Sequence, residues 1–255
     1  MFTISACAFD PAGSEGNAVA NKCIGVDGDT VALYRFDNIA DLARDETGNH
    51  HGKVNGEPPS VVSGPCGSAI QFPDSAASDP FIEIPNSPDW DMEEGAIDFW
   101  LRTDAAGLGL LSRDAVQQLE PGHFTIGIAD DRRIVVRVQD GVDHIVRCST
   151  LPIAEAEWTH IAVNIGPPAV ELYIDGELGL YQGQTTWPGN AGLTYQCGSS
   201  AGMGIAGNSN PWVLGASAAN SEDGAATPTR AHLLGGAIDH LRISSRRRGF
   251  STGNN

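Results

Sequence analysis

The chain is poor in basic residues, with 15 Lys and Arg against 32 Asp and Glu in 255 residues. Its formal net charge of −17 repels phosphate backbones, which excludes nucleic acid as an expected partner. Apolar runs of the roughly 20 residues that cross a bilayer are missing, so we expect no membrane insertion. The opening residues show no basic segment followed by an apolar one, and no signal peptide is visible.

Cysteine is scarce, and its positions lack the CxxC spacing typical of zinc sites. The five residues are Cys7, Cys23, Cys66, Cys148 and Cys197. The simplest prediction is five reduced thiols, most of them buried. A bridge between Cys7 and Cys23 within the N-terminal segment is the alternative.

Motifs that carry catalysis are missing too. The chain has neither the GxSxG turn of serine hydrolases nor the GxxxxGK(S/T) phosphate loop. Residues 202–207, GMGIAG, match the spelling of a dinucleotide-binding motif, but they follow no clear strand and open no helix. Glycoside cleavage needs two carboxyl groups flanking the bond, whereas Glu83, Asp98 and Glu171 lie on separate predicted strands. Asp98 and Glu171 are predicted to face solvent.

What the chain does contain is a series of short runs rich in β-branched and aromatic residues, bounded by Gly, Pro, Asp or Asn. In WTHIAVNIGPPAVELYIDGEL (158–178), Ile161, Val163 and Ile165 share one face of a strand and make it apolar. Asp175 and Gly176 then supply the positive φ angles of a tight hairpin turn. The pattern predicts an all-β fold with two stacked antiparallel sheets.

The composition along the chain predicts one domain with three irregular parts. Residues 1–28 are small, polar and Gly-rich, and they predict an N-terminal arm, while the sandwich spans 29–245. Within it, residues 182–211 form one long irregular insertion, a length typical of functional loops. Residues 246–255 form a basic C-terminal tail whose three arginines are predicted to be solvated.

Four segments occur in an order that resembles a known family. They are VALYRFDN (31–38) with DETGNHHGKV (45–54), GSAIQF (67–72) with FIEIPNSPDWDMEEGAIDFWLRT (81–103), the stretch 158–178, and GAIDHLRIS (236–244). Together they resemble the laminin-G-like modules of the concanavalin A-like lectin and glucanase family, over residues 31–244. The resemblance implies a two-sheet antiparallel jelly roll. The compact ExDxxE strand motif of related jelly-roll glucanases is missing from this chain.

The resemblance also implies one structural Ca²⁺ where the first and last strands meet. The implied ligands are the carboxylates of Asp37 and Asp239 with oxygens at Thr47 and Asn49. The alternative is that Asp37 and Asp45 only accept hydrogen bonds from turn amides. His50 and His51 are adjacent in an extended segment and point to opposite faces, so they predict no shared metal.

Aromatic residues in or beside the insertion offer a binding hypothesis, because exposed rings stack on sugar faces and anchor protein interfaces. Trp187, Tyr195 and Trp212 are the predicted ligand-binding residues. A lid over one end of the sandwich is the alternative. The remaining tryptophans match core or rim positions of the family and are predicted to be structural.

These observations predict a non-catalytic, surface-displayed recognition or adhesion module. The predicted setting is a virion surface, as a phage decoration, fibre or tail-associated protein, because the family acts outside cells and no export signal is visible. A carbohydrate- or protein-binding module of a bacterial secreted or surface protein is the alternative, and a glycoside hydrolase or lyase ranks third. Expected partners are surface glycans, neighbouring subunits of an assembly, or further copies of the chain in a homo-oligomer.

Overall fold

The computed structural model describes most of the predicted sandwich and little of the N-terminal arm. The described residues are Cys23, 25–73, 80–114, 120–186, 194–198, 201–219, 229–231 and 234–250. Most of the arm predicted for 1–28 therefore lies outside the described residues. No helix within these ranges is long and apolar enough to cross a membrane.

The described residues form nineteen strands and one 3-10 helix, Pro88–Trp90. In chain order the strands are β1 (Thr30–Tyr34), β2 (Lys53–Asn55), β3 (Ser60–Gly64), β4 (Gly67–Phe72), β5 (Phe81–Ile84), β6 (Gly95–Arg102), β7 (Leu108–Arg113), β8 (His123–Ile128), β9 (Ile134–Asp140), β10 (Asp143–Cys148), β11 (Thr159–Ile165), β12 (Glu171–Ile174), β13 (Glu177–Leu178), β14 (Gln184–Thr186), β15 (Thr194–Gln196), β16 (Trp212–Leu214), β17 (Ser217–Ala219), β18 (Thr229–Ala231) and β19 (Gly236–Ser244).

Two large antiparallel sheets carry most of these strands. The eight-stranded sheet, called sheet A, has the order β13-β12-β11-β6-β19-β4-β3, and β1 also pairs with β19. The seven-stranded sheet, called sheet B, has the order β10-β9-β8-β7-β16-β5-β2. Strands β14 and β15 pair with each other, as do β17 and β18. The prediction of an all-β, two-sheet antiparallel sandwich is confirmed.

The core lies between the two sheets and follows the alternation seen in the sequence. On β11, Ile161 pairs with Phe99 of β6 and Val163 pairs with Ile97. All four side chains are fully buried, together with Phe124 on sheet B. Burying each such side chain contributes about 1.5–3 kcal/mol, which explains why the period of two fixes the inward face.

The predicted turn at the end of β12 forms as expected. Asp175 has a φ of 50° and Gly176 a φ of 81°. Ile174 and Glu177 on either side of them pair across the hairpin. A two-residue turn with two positive φ angles matches the right-handed twist of the flanking strands, which accounts for Gly at the second position.

Residues 246–250, called the C-terminal segment here, pack on the outer face of sheet A. Asn164 bonds the backbone of Arg248 twice, donating to its carbonyl at 2.9 Å and accepting from its amide at 2.9 Å. Arg247 donates to the carbonyl of Ala169 at 2.6 Å and to the carboxylate of Glu171 at 2.7 Å. The prediction of solvated arginines is therefore wrong for Arg247 and Arg248, which are 18% and 16% exposed, whereas Arg246 is 66% exposed as predicted.

The C-terminal segment covers this face of sheet A, where two acids of the strands lie. Asp98 is fully buried and accepts hydrogen bonds from Arg242 at 2.9 and 3.2 Å, and Glu171 is half-buried. Phe250, at 8% exposure, packs against Ala162 in the same layer. The prediction that Asp98 and Glu171 face solvent is wrong, since the alternation marks the outer face of a strand and not what lies over it.

Two disulfides replace the predicted free thiols. Cys23 is bonded to Cys66, and Cys148 is bonded to Cys197. The prediction of five reduced thiols is wrong, and so is a Cys7–Cys23 bridge, because Cys23 already has a partner. Cys7 itself lies outside the described residues. Disulfides persist mainly in oxidising compartments such as the extracellular space.

Part of the predicted irregular insertion has regular structure. Strands β14 and β15 form a small hairpin within 182–211, although residues 187–193 and 199–200 lie outside the described part. Cys197, beside β15, reaches back to β10 through its disulfide. Further along, Ile205 and Met92 exchange backbone hydrogen bonds of 2.8 and 2.9 Å. The insertion is thus fastened to the sandwich by a covalent bond and by backbone hydrogen bonds.

Candidate functional site

A polar cleft lies between two connections of the sandwich. Because β2 and β5 are antiparallel with Lys53 opposite Glu83, the residues before β2 lie beside the residues after β5. The cleft between them has a volume of about 340 Å³ and is called the His50 cleft here. Its lining residues are Asn49, His50, His51, Pro85, Asn86, Ser87 and Asp89. All of these side chains except that of proline can hydrogen-bond a polar ligand.

Asp45 fixes the wall of the cleft that follows β1. Its buried carboxylate accepts hydrogen bonds from the backbone amides of Leu33 (2.9 Å), Thr47 (3.0 Å), Asn49 (3.1 Å) and His50 (2.9 Å). Burial raises the pKa of this carboxyl, but the Thr47 hydroxyl and the amides outweigh burial and hold the pKa below its ordinary value. A charged carboxylate bonded this often sets the turn in one conformation.

His50 joins the two walls of the cleft. Its Nε2 lies 3.1 Å from a carboxylate oxygen of Asp89. Its ring centroid lies 4.3 Å from that of Trp90, which is fully buried and donates its indole N–H to the carbonyl of Pro85 at 2.9 Å. The imidazole is therefore held between a charged partner and a rigid aromatic surface.

Arg113 fixes the wall of the cleft that follows β5. It is fully buried and donates to Asn86 Oδ1 at 2.9 Å, to the carbonyl of Asn208 at 2.9 Å, and to Asp91 at 3.3 Å. Burial lowers the pKa of this guanidinium, and the bond to Asp91 opposes that effect. Because the guanidinium offers only donors, it ties the 86–91 segment to the insertion through their acceptor oxygens.

The acids of the described chain do not form a hydrolytic pair in this cleft. Asp89 is the one carboxylate among the residues that line it. Asp98 is buried under the C-terminal segment, where Arg242 occupies both of its oxygens. Glu171 accepts from Arg247 on the same face, and Glu83 lies on sheet B. Glycosidases need two carboxyl groups facing one bond, an arrangement that these four acids do not provide.

The predicted calcium ligands separate into two groups. Asp37 and Asp239 both meet the β3–β4 turn, where they accept from the amides of Ser68 at 2.8 Å and Cys66 at 2.9 Å. Two carboxylates around one turn fit the preference of calcium for oxygen ligands. Cys66, Asp239 and His240 also bring ligand atoms within 4.8 Å of one another, but the disulfide leaves Cys66 without a thiolate.

Thr47 and Asn49 contact another carboxylate, that of Asp45. The Thr47 hydroxyl and the backbone amide of Asn49 both donate to the carboxylate of Asp45. Since these bonds use N–H and O–H donors, the prediction that oxygens at Thr47 and Asn49 share a site with Asp37 and Asp239 stays a prediction. Asp45 accepts hydrogen bonds from the turn amides of Thr47, Asn49 and His50, as the alternative from the sequence predicts for this residue.

The three predicted aromatic residues do not form one described surface. Trp187 lies outside the described residues. Tyr195 is half-buried on the outer face of sheet B, with the guanidinium of Arg137 at 5.7 Å from its ring centroid. Trp212 is fully buried in the core, with its ring centroid 5.3 Å from that of Phe124. The prediction of Trp212 as a ligand-binding residue is wrong, because its ring faces no solvent.

Sequence reasoning missed the far wall of the cleft. Ser87 caps the short helix by accepting from the amide of Asp89 at 3.2 Å, and Pro88 starts that helix. This Ser-Pro-Asp order is a local signal of a helix start that the sequence does show. Its position beside His50 depends on the pairing of β2 with β5, for which the sequence has no local signal.

Comparison with known sequences finds one family. The sequence profile of the concanavalin A-like lectin/glucanases superfamily matches residues 76–249. None of the proteins with curated functions matches the chain.

Comparison with solved structures finds the same sandwich in distant proteins. Domain 4 of AbnA, an extracellular arabinanase from Geobacillus stearothermophilus solved with arabinotriose, aligns over 85% of this chain and 92% of its own, with 18% identity and a TM-score of 0.57. The binding domain of botulinum neurotoxin DC, solved with rat synaptotagmin II, aligns over 86% of this chain and 49% of its own, with 13% identity and a TM-score of 0.54.

A third match is botulinum neurotoxin type C, whose cell entry depends on two ganglioside molecules. It aligns over 86% of this chain and 48% of its own, with 11% identity and a TM-score of 0.51. The chain thus spans about half the length of both neurotoxin chains. At these identities the likeness extends to the fold.

Proposed function

The chain belongs to the concanavalin A-like lectin/glucanase superfamily, and from that premise we propose that it is a non-catalytic module that binds glycans in the His50 cleft. The observation that carries this proposal is the rigid polar lining of the cleft. One wall is held by the buried carboxylate of Asp45 and the other by the buried guanidinium of Arg113. Preorganised polar groups lose little freedom on binding, which favours recognition of a polar ligand.

The absence of catalysis is part of the same proposal. Asp89 is the one acid that lines the cleft, whereas glycoside cleavage needs a second carboxyl group on the other side of the bond. Its partner His50 is held against Trp90, so the pair is suited to orienting a hydroxyl group. We expect no release of reducing sugar from any glycan that binds.

The proposed location is outside the cell. Two disulfides support it, because cytosolic thiols are kept reduced. A virion surface and a bacterial secreted protein are both such settings. The virion decoration with neighbouring subunits stays a prediction, and mass spectrometry of purified particles together with light scattering of the purified chain would test it.

A glycan array followed by calorimetric titration tests the function. We expect binding by the native chain and a loss of about tenfold in affinity for Asn49→Ala and for Asp89→Asn, since each removes about one hydrogen bond worth roughly 1–1.5 kcal/mol. Asp143→Asn makes the same charge change as Asp89→Asn at the exposed first residue of β10 and serves as the control. An array without any bound glycan contradicts the proposal.

We further propose that any structural calcium is held by Asp37 and Asp239 alone among the four predicted side chains. Binding there would tie the β3–β4 turn to β19 and to the segment after β1. We expect a calcium chelator to lower the melting temperature of the native chain. The melting temperature of Asp37→Asn should be the same with and without the chelator. Equal melting temperatures of the native chain with calcium and with chelator would count against the metal.

A further inference from the structure

We propose that the His50 cleft selects neutral sugars and rejects sugars that carry a carboxylate, an inference that rests on the proposed function. The inference comes from which hydrogen-bonding groups face the cleft once the internal bonds have been assigned. Two groups of the cleft are fixed as donors, and the one charged acceptor beside them is negative.

The first donor is the side-chain amide of Asn86. Arg113 points a guanidinium N–H at this side chain, at 2.9 Å. A guanidinium has no acceptor, so the atom facing it is Oδ1. The amide nitrogen of Asn86 is then turned away from Arg113 and keeps its N–H groups for a ligand in the cleft.

The second donor is the imidazole of His51. The backbone amide of Asp45 donates to His51 Nδ1 at 3.1 Å. A backbone amide only donates, so Nδ1 carries no proton and the neutral ring is protonated at Nε2. The side chain of His51 is exposed at the cleft, where it presents a ring N–H.

The acceptor is the carboxylate of Asp89. One oxygen is paired with His50 Nε2 at 3.1 Å, and the side chain is 61% exposed. A carboxylate accepts a strong hydrogen bond from a sugar hydroxyl but repels another carboxylate at short range. The formal net charge of −17 adds to this repulsion over longer distances.

A sugar hydroxyl donates and accepts through the same oxygen, so a neighbouring pair of hydroxyls satisfies a donor and an acceptor together. Asn86 and His51 supply the donors, and Asp89 supplies the acceptor. A sialic or uronic acid would satisfy the donors but would place its charge near Asp89 without a fixed cation to balance it. Arg113 does not fill that role, because it is fully buried and paired with Asp91.

The experiment compares matched neutral and acidic probes on the native chain at neutral pH. Suitable pairs are lactose with sialyllactose, and glucose oligomers with glucuronate-terminated oligomers. We expect at least tenfold tighter binding of the neutral member of any pair that binds. Asp89→Asn should weaken the neutral probe about tenfold and bring the two members close to equal affinity, whereas Asp143→Asn should leave the ratio unchanged.

The outcomes separate this inference from the proposed function. Tighter binding of the acidic probes, lost in Asn49→Ala, overturns the selectivity and leaves a glycan-binding cleft. A neutral preference that Asp89→Asn does not reduce also overturns the inference, because the charge would then play no part. Failure of every probe and of the wider array overturns the proposed function, and this inference with it. Because the Asp89 side chain is exposed, we expect Asp89→Asn to keep the melting temperature of the native chain. That result would show that the variant is folded.

Discussion

The two outer faces of the sandwich are covered in different ways. On sheet A the cover is the C-terminal segment, held by polar contacts such as the two bonds between Asn164 and Arg248. On sheet B the cover is the β14–β15 region, held by the Cys148–Cys197 disulfide. The first cover is held by reversible contacts, and the second has a covalent bond in addition to hydrogen bonds such as that from Thr186 to Asp130.

The two covers also differ in what they bury. Sheet A presents polar side chains to the C-terminal segment: Glu171 accepts from the Arg247 guanidinium, and Asn164 bonds the Arg248 backbone. Sheet B presents Val135 and Val146, which form a small apolar cluster with Cys148 and Cys197. A polar face needs directional bonds to be buried, whereas an apolar face needs only a segment kept close to it.

Removing the covalent bond should have the largest effect. We expect the double change Cys148→Ser and Cys197→Ser to lower the free energy of unfolding by about 2–4 kcal/mol, because the bridge closes a long loop in the unfolded chain. Chemical denaturation of the native and changed chains measures it. Exchange of backbone hydrogens should rise in β14 and β15 and stay constant in the C-terminal segment. A rise on both faces would contradict independent covers.

Breaking the polar cover should cost less. Asn164→Ala leaves the backbone amide and carbonyl of Arg248 without their partner, and we expect a loss of about 2 kcal/mol in the free energy of unfolding. Asn55→Ala, on sheet B, is the matched control. The same denaturation series tests it, and an effect no larger than that of the control would show that the segment contributes little to stability.

High pH should loosen the same cover by a smaller amount. Burial and the hydrogen bond to Glu171 raise the pKa of Tyr173 from 10.0 to about 12. The contribution is fully present below the unfolded pKa and is lost as pH rises from about 10 to 12, since the raised pKa favours the neutral phenol. Tyr173→Phe should lack this pH-dependent loss and cost about 1 kcal/mol at neutral pH. Parallel pH titrations of stability would reveal the difference.

The smallest effect is expected at the ion pair between Arg248 and Asp27, whose side chain is 49% exposed. Arg248 donates to both oxygens of Asp27 at 2.7 and 2.8 Å, and this contact holds the pKa of Asp27 well below its usual range. Asp27→Asn should cost less than about 1 kcal/mol at neutral pH and low salt, because exposed pairs are screened. The contribution of Asp27 is present above the unfolded pKa of about 4 and is lost as pH falls below it. A cost that is unchanged in high salt would contradict this account.

The comparison also shows why the fold was easier to predict than the site. The turn at Asp175 and Gly176 and the alternation of Ile161, Val163 and Ile165 are local patterns, and the structure confirms them. The bonds from Thr47 and Asn49 to the carboxylate of Asp45, by contrast, depend on how the turn after β1 folds. Whether an outward-facing side chain meets water or another segment is not encoded in the period of a strand.

The amino-acid sequence by itself determined the two-sheet sandwich, its turns and its family, because side-chain alternation and turn chemistry act between near neighbours. Tertiary structure alone decided the cysteine partners, the cover over Asp98 and the meeting of His50 with Asp89. These contacts join segments that are distant along the chain. Their geometry follows from strand order and register, such as Lys53 opposite Glu83, and those are set by the packing of the whole core.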